Sequence, residues 1–291
     1  MKDVKKIEKI FPRPAHPGMV GDGFRVYNYF PNGYPLREKL SPFLMLDFGP
    51  AFDFGPSDHP RGVDVHPHKG FETVTIAYKG SVEHYDSSGN NGVINPGDVQ
   101  WMTAGAGILH KEFHEKEFSK KGGPFEMVQL WVNLPKKDKL TQPKYQPLIA
   151  SDISKVVLQN DNGIVKIIAG KYNAAKGSAS TFTVMNVFDI HLNKNGEMIA
   201  DIPTTHNTAI LVVEGSIDVN GQHAELHDFI LFKNEGETIN IKAKEKSVLL
   251  FLSGLPINEP IAQYGPFVMN TKQELQEAFL EFESGKFGEL I

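Results

Sequence analysis

The chain has no cysteine and only two tryptophans in 291 residues. Without cysteine there is no disulfide framework, no thiolate metal site and no cysteine nucleophile, which excludes a small disulfide-stapled secreted scaffold. Nor is there an apolar run of the roughly 18 residues that a membrane helix requires. The opening stretch MKDVKKIEKIFPRP is charged and lacks the apolar core of a signal peptide, so a cytoplasmic location is expected. Positive charge is not in excess: 30 Lys and Arg stand against 35 Asp and Glu, a formal net charge of −5. No global attraction to nucleic acid and no membrane partner are therefore expected.

What the chain does have is turn chemistry. With 27 glycines and 19 prolines, and 40% hydrophobic residues, it can bury a substantial core between many turns. Short apolar stretches recur, such as Phe71 to Tyr78, Val99 to Met102, Val128 to Val132, Ala209 to Val213 and Val248 to Leu252. Each is bounded by Gly, Pro, Asn or Asp, which predicts strands of a sandwich or barrel. Asn-Gly steps beginning at Asn32, Asn91, Asn162, Asn195 and Asn220 are natural tight turns. One helix is expected near the end. Thr271 and Glu274 form a capping box, Leu275, Ala278, Phe279 and Phe282 share a face, and Gly285 supplies the stop.

The Pro- and Lys-rich stretch 137–147 reads as a linker between an amino-terminal domain, 1–136, and a carboxy-terminal domain, 148–291. The two halves echo one another. Ile76-Ala-Tyr-Lys-Gly80-Ser-Val-Glu83 matches Leu211-Val-Val-Glu-Gly215-Ser-Ile-Asp218, and Gly97-Asp-Val-Gln-Trp101 is echoed by His227-Asp-Phe-Ile-Leu231. Two β domains of similar plan follow.

Chemistry concentrates in two short segments. On a strand, residues two apart share a face, so His66 projects with His68 and His110 with Glu112. With 11 histidines, chance alone supplies roughly 0.4 His-x-His pairs in such a chain, so one pair is weak. A second same-face pair after a Gly-x-Gly turn is harder to explain as solvated surface. If the segments face each other, three imidazoles and one carboxylate converge, a set that suits Fe(II), Mn(II), Ni(II), Cu(II) or Zn(II). The Gly105-x-Gly107-x-x-His110 stretch lacks the third glycine and βαβ context of a dinucleotide fingerprint. The four-residue spacing of His110 and His114 lacks the His-Glu-x-x-His helix of zinc peptidases. His84 and His114 are expected at the surface or rim.

The residues resemble the pirin family of the cupin superfamily. The resemblance is carried by Val20-Gly-Asp-Gly-Phe-Arg25, Phe43-Leu-Met-Leu-Asp47, His66-Pro-His-Lys-Gly-Phe-Glu-Thr73, Asn95-Pro-Gly-Asp-Val-Gln-Trp-Met-Thr-Ala-Gly105, Gly107-Ile-Leu-His-Lys-Glu112, Gln129-Leu-Trp-Val-Asn133 and Gly265-Pro-Phe-Val-Met-Asn270. It implies an all-β bicupin, two β-barrel or jelly-roll domains with a short carboxy-terminal helix and a metal only in the first. The implied ligands are His66, His68, His110 and Glu112, with Glu112 also a proton acceptor and Glu72 a nearby group. In the second half Asp201 and Pro203 stand where His66 and His68 stand in the first, so no second metal is expected. Iron is the implied metal, with Zn, Mn, Ni or Cu as alternatives. Family members are described as quercetinases, which cleave a flavonol with dioxygen and release carbon monoxide, and as transcriptional co-regulators. A flavonol-like aromatic substrate and dioxygen are thus the expected partners, against the alternative of a metal-binding regulator acting through a protein partner. Phe71, Trp101, Met102, Phe113, Phe125 and Met127 are the expected walls of a flat pocket.

Overall fold

The computed structural model describes residues 2–31 and 36–290. The expected turn at Asn32-Gly33 lies outside them. About 53% of the chain is strand and 10% helix, which bears out the all-β expectation. No helix is long and apolar enough to cross a membrane.

Contacts divide the chain into two units, each assembled from separate stretches. One contains Ala15–Tyr34, Phe43–Ala150 and Ile257–Ile291; the other contains Met1–Pro14, Pro35–Pro42 and Ser151–Pro256. The first carries the strands β2 (Gly18–Val20), β3 (Phe24–Phe30), β4 (Phe43–Phe54), β5 (Gly62–His68), β6 (Phe71–Lys79), β7 (Val82–Asp86), β8 (Asn91–Ile94), β9 (Val99–Thr103), β10 (Ile108–His114), β11 (Gly123–Asn133) and β12 (Lys144–Leu148). They form a seven-stranded sheet in the order β12-β9-β6-β11-β4-β3-β2 and a four-stranded sheet in the order β5-β10-β7-β8. Every pairing within them is antiparallel. The stretch expected as linker therefore contributes β12, whose residues Lys144 to Leu148 pair with Thr103 to Val99 of β9.

The second unit repeats the plan with its own seven-stranded and four-stranded sheets. One edge strand of the larger sheet is β1 (Ile7–Phe11), which pairs with Phe229–Phe232. The sequence echo is a structural one. Gly80 and Gly215 both take left-handed backbone, φ 73° and 76°, at the turn that leaves the matched strands. Gly97 and His227 also match in conformation, φ 91° and 68°, so the histidine occupies a turn position that favours glycine.

Among the described residues three α-helices accompany the sheets: α1 (Leu36–Leu40), α2 (Lys116–Lys121) and α3 (Lys272–Glu283). Only α3 was expected. Its capping box is complete, since Thr271 accepts from the Glu274 N–H and Glu274 accepts from the Thr271 N–H. Its apolar side, with Leu275, Ala278 and Phe279, packs beside Phe267, Phe287 and Leu109 of β10.

Lys139 lies in the expected linker yet is only 2% exposed. Its ammonium donates to Gly70 O and Asn133 Oδ1 at 2.8 Å and to Val268 O at 2.9 Å. Burial lowers its pKa to about 8, so it stays charged at neutral pH. It thus ties the loop after β5, the end of β11 and Phe267–Met269 to one point. Lys139→Met leaves three buried acceptors unpaired and is expected to cost about 3 kcal/mol. Urea unfolding checks this through a lower midpoint at unchanged slope.

Candidate metal centre

The neighbouring strands β5 and β10 bring the histidines together. His66 lies directly opposite His110, and His68 opposite Ile108. Directly opposed residues share a face, so all three imidazoles point to the same side of the four-stranded sheet. A register shift follows. Glu112 pairs with Val63, so β5 holds one extra residue between Val63 and His66, a bulge that re-aims the histidine. The ring centroids lie 4.2 Å apart for His66–His110, 4.8 Å for His68–His110 and 4.9 Å for His66–His68. One nitrogen from each ring falls within 4.8 Å of the others.

The electrostatics favour neutral imidazole. Burial holds His68 and His110 well below the usual histidine range, and their mutual proximity adds to it. Burial likewise lowers His66, against the opposing pull of Asp64. His66 Nδ1 lies 2.8 Å from the Asp64 carbonyl, so that nitrogen carries the proton and Nε2 keeps its lone pair. His68 Nδ1 and both nitrogens of His110 are buried and make no close hydrogen bond. Three neutral imidazoles with unspent nitrogen lone pairs fit a divalent transition ion.

Glu112 is 8% exposed and lies on the same face, opposite His84 of β7, outside the 4.8 Å histidine cluster. Burial raises its pKa to about 7, against a hydrogen bond with Thr75. His66, His68 and Glu112 open onto a cavity of about 440 Å³. Its other walls are Val20, Phe24, Val26, Met45, Asp47, Val63, Met127, Gln129, Trp131 and Pro266. A larger hollow of about 840 Å³ lies along residues 156–202 of the second unit. Among the described residues, however, the only cluster of three ligand side chains is His66, His68 and His110.

Family models for pirin and for the pirin C-terminal cupin domain match residues 23–132 and 187–288. The chain belongs to the pirin family. A quercetin 2,3-dioxygenase of Acinetobacter baumannii with a solved structure is 48% identical, superposes with a TM-score of 0.93, and covers 99% of this chain and 100% of its own. A pirin-like protein of Solanum lycopersicum is 40% identical over 88% of this chain and 85% of its own. The pirin of Rattus norvegicus is 36% identical over 88% and 86%. The bicupin fold is shared across the family match.

Several expectations for this pirin-family site need correction. Glu72 is not beside the histidines. It lies three residues from Thr75, hence on the opposite face of β6, and accepts from Thr103 Oγ1 at 2.7 Å. Its pKa of about 7 is due to burial there. His114 is fully buried, with Nε2 2.8 Å from Gly23 O and its ring against Phe24, Phe54 and Phe125. His84 is 7% exposed and stacks on Tyr145 at 5.1 Å. Neither is a rim residue, because both sit at inward positions of β10 and β7, where strand alternation outweighs the average preference of histidine for exposure. Of the six expected walls only Met127 lines the cavity; Phe71 and Phe125 pack behind its walls, against Trp131 and Phe24, Trp101 and Met102 are buried on β9, and Phe113 is not among the lining residues. Asp47, Gln129 and Trp131 were missed as wall residues, although all three lie inside the family blocks.

Burial lowers His84 to about 4, with Asp86 and Glu83 opposing. Its folded-state pKa is below its unfolded value, so between these two values the unfolded chain binds a proton that the native ring refuses. Stability is therefore full above the unfolded pKa and falls as pH drops toward the folded one. His84→Gln in metal-free protein is expected to reduce the stability lost between pH 7 and pH 5 by about 2 kcal/mol, as read by urea unfolding at both pH values. His110→Ala is expected to keep the fold and lose most bound metal, with elemental analysis and circular dichroism as the paired measurements; full metal content would refute the histidine assignment.

Proposed function

We propose that this protein is a metal-dependent dioxygenase that opens flavonols, with the metal held by His66, His68, His110 and Glu112 and with Fe(II) as the native ion. The observation that carries the reading is a partner-poor cluster of three neutral imidazoles at the wall of a largely apolar cavity. The similarity to a protein titled quercetin 2,3-dioxygenase supports the choice of substrate.

The chain's own residues fit such a reaction. Phe24, Val26, Met45, Met127 and Trp131 offer apolar walls to a planar ring and exclude water from it. Trp131 is itself braced by Phe71, with centroids 4.3 Å apart. When bound, a redox-active divalent ion supplies a Lewis acid that acidifies a hydroxyl and a place for dioxygen to react. Glu112 has a second carboxylate oxygen that can accept the proton of the flavonol 3-hydroxyl and return it later.

The test is an assay of ferrous-loaded protein with quercetin in air and under nitrogen, following flavonol absorbance and carbon monoxide. Oxygen-dependent loss is expected, reduced about 100-fold or more in Glu112→Gln and abolished in His110→Ala. A full metal site with no turnover of any flavonol would instead favour a regulator that works through a protein partner.

A further inference from the structure

Polar residues cross the cavity wall in a single register row. Asn28 of β3 lies opposite Asp47 of β4, Asp47 opposite Gln129 of β11, and Gln129 opposite Thr75 of β6. Opposed residues on antiparallel strands share a face, with Cβ atoms about 5 Å apart. Hydrogen bonds join much of the row. Asn28 Nδ2 donates to Asp47 Oδ1 at 2.7 Å, and Thr75 Oγ1 donates to Gln129 Oε1 at 2.7 Å. The row thus runs from β3 across to β6.

Two groups in it are unspent. Asp47 Oδ2, an acceptor, and Gln129 Nε2, a donor, have no hydrogen-bond partner among the described residues. Both residues line a cavity whose other walls are mostly Val, Phe, Met and Trp. Asp47 is only 9% exposed. A polar group in such surroundings is costly unless something satisfies it. An acceptor next to a donor is the complement of a hydroxyl, which donates once and accepts in return.

We propose that Asp47 and Gln129 are the specificity-determining pair of this cavity: they read a ring hydroxyl of the aromatic substrate other than the one presented to the histidines. This rests on the flavonol reading and refines it. A substrate without that hydroxyl leaves Asp47 and Gln129 unpaired, and a site built to bond a hydroxyl discriminates strongly against analogues that lack one.

The experiment uses the zinc-loaded protein under nitrogen, where binding is measured without turnover. Quercetin is compared with 3-hydroxyflavone, which keeps the 3-hydroxyl and no other, by following ligand absorbance and fluorescence. Wild type is expected to bind quercetin about tenfold or more tightly than 3-hydroxyflavone. In Asp47→Ala and in Gln129→Leu the gap is expected to shrink to about threefold or less, with 3-hydroxyflavone affinity little changed. The two substitutions lie on different strands, and either one that retains bound zinc decides the matter. A gap that persists in a zinc-retaining variant, or no gap in wild type, overturns the pair while leaving flavonol binding intact. Failure of both ligands to bind overturns the flavonol reading and this inference with it.

Discussion

Three imidazoles within 4.8 Å of one another, two buried and one half-buried, and short of protein partners, are the constraint around which the metal-site unit is organised. Burial makes a proton on any of them expensive, and proximity makes a second proton more so. They are left as lone-pair donors that only a cation can satisfy together. The Asp64 carbonyl contributes by holding the proton of His66 on Nδ1, away from the cluster. Such an arrangement costs stability until it is filled, and it is therefore tolerable only in a rigid frame.

That frame is supplied from behind the strands. Leu109, next to His110 but on the other face of β10, packs with α3 and Phe287. Gly107, at φ 125°, lies so close to Phe287 that a Cβ there would fall 2.3 Å from the ring. Gly70, at φ 85°, leaves room for the Val268 carbonyl in the same way. Lys69, adjacent to His68 and 4% exposed, donates to Ala106 O at 2.8 Å and pairs with Glu281 of α3. The last stretch of the chain thus returns to clamp both histidine segments. Conformation, packing and charge all act on the residues flanking the ligands.

The second unit shows the same plan with an apolar interior. Its barrel is filled by Ile, Val, Leu and Phe side chains such as Ile190, Ile210, Val212, Ile230, Leu249 and Phe251. Where the first unit has His66 and His68, the second has Asp201 and Pro203. Apolar side chains thus fill that interior with one another. In the first unit the corresponding space is kept open as a cavity, bounded by polar groups at Asp47, Gln129 and Glu112.

Much of this was legible in the residues alone, for a physical reason: strand side chains alternate with period two. That alternation alone places His66 with His68 and His110 with Glu112. The turn glycines, the capping box of α3 and the repeat of Gly80 at Gly215 are likewise local signals, carried by a few adjacent residues. What depended on pairing between distant strands was not legible. The face of β6 that carries Glu72, the burial of His84 and His114, the conversion of an apparent linker into β12 and the anchoring of Lys139 all follow from which strands become neighbours. The same holds for the row from Asn28 to Thr75, whose members lie on four strands and acquire meaning only through register. Local sequence determined which residues could share a face; tertiary structure alone decided what that face would meet, because hydrogen-bonded register joins residues that the chain itself keeps far apart.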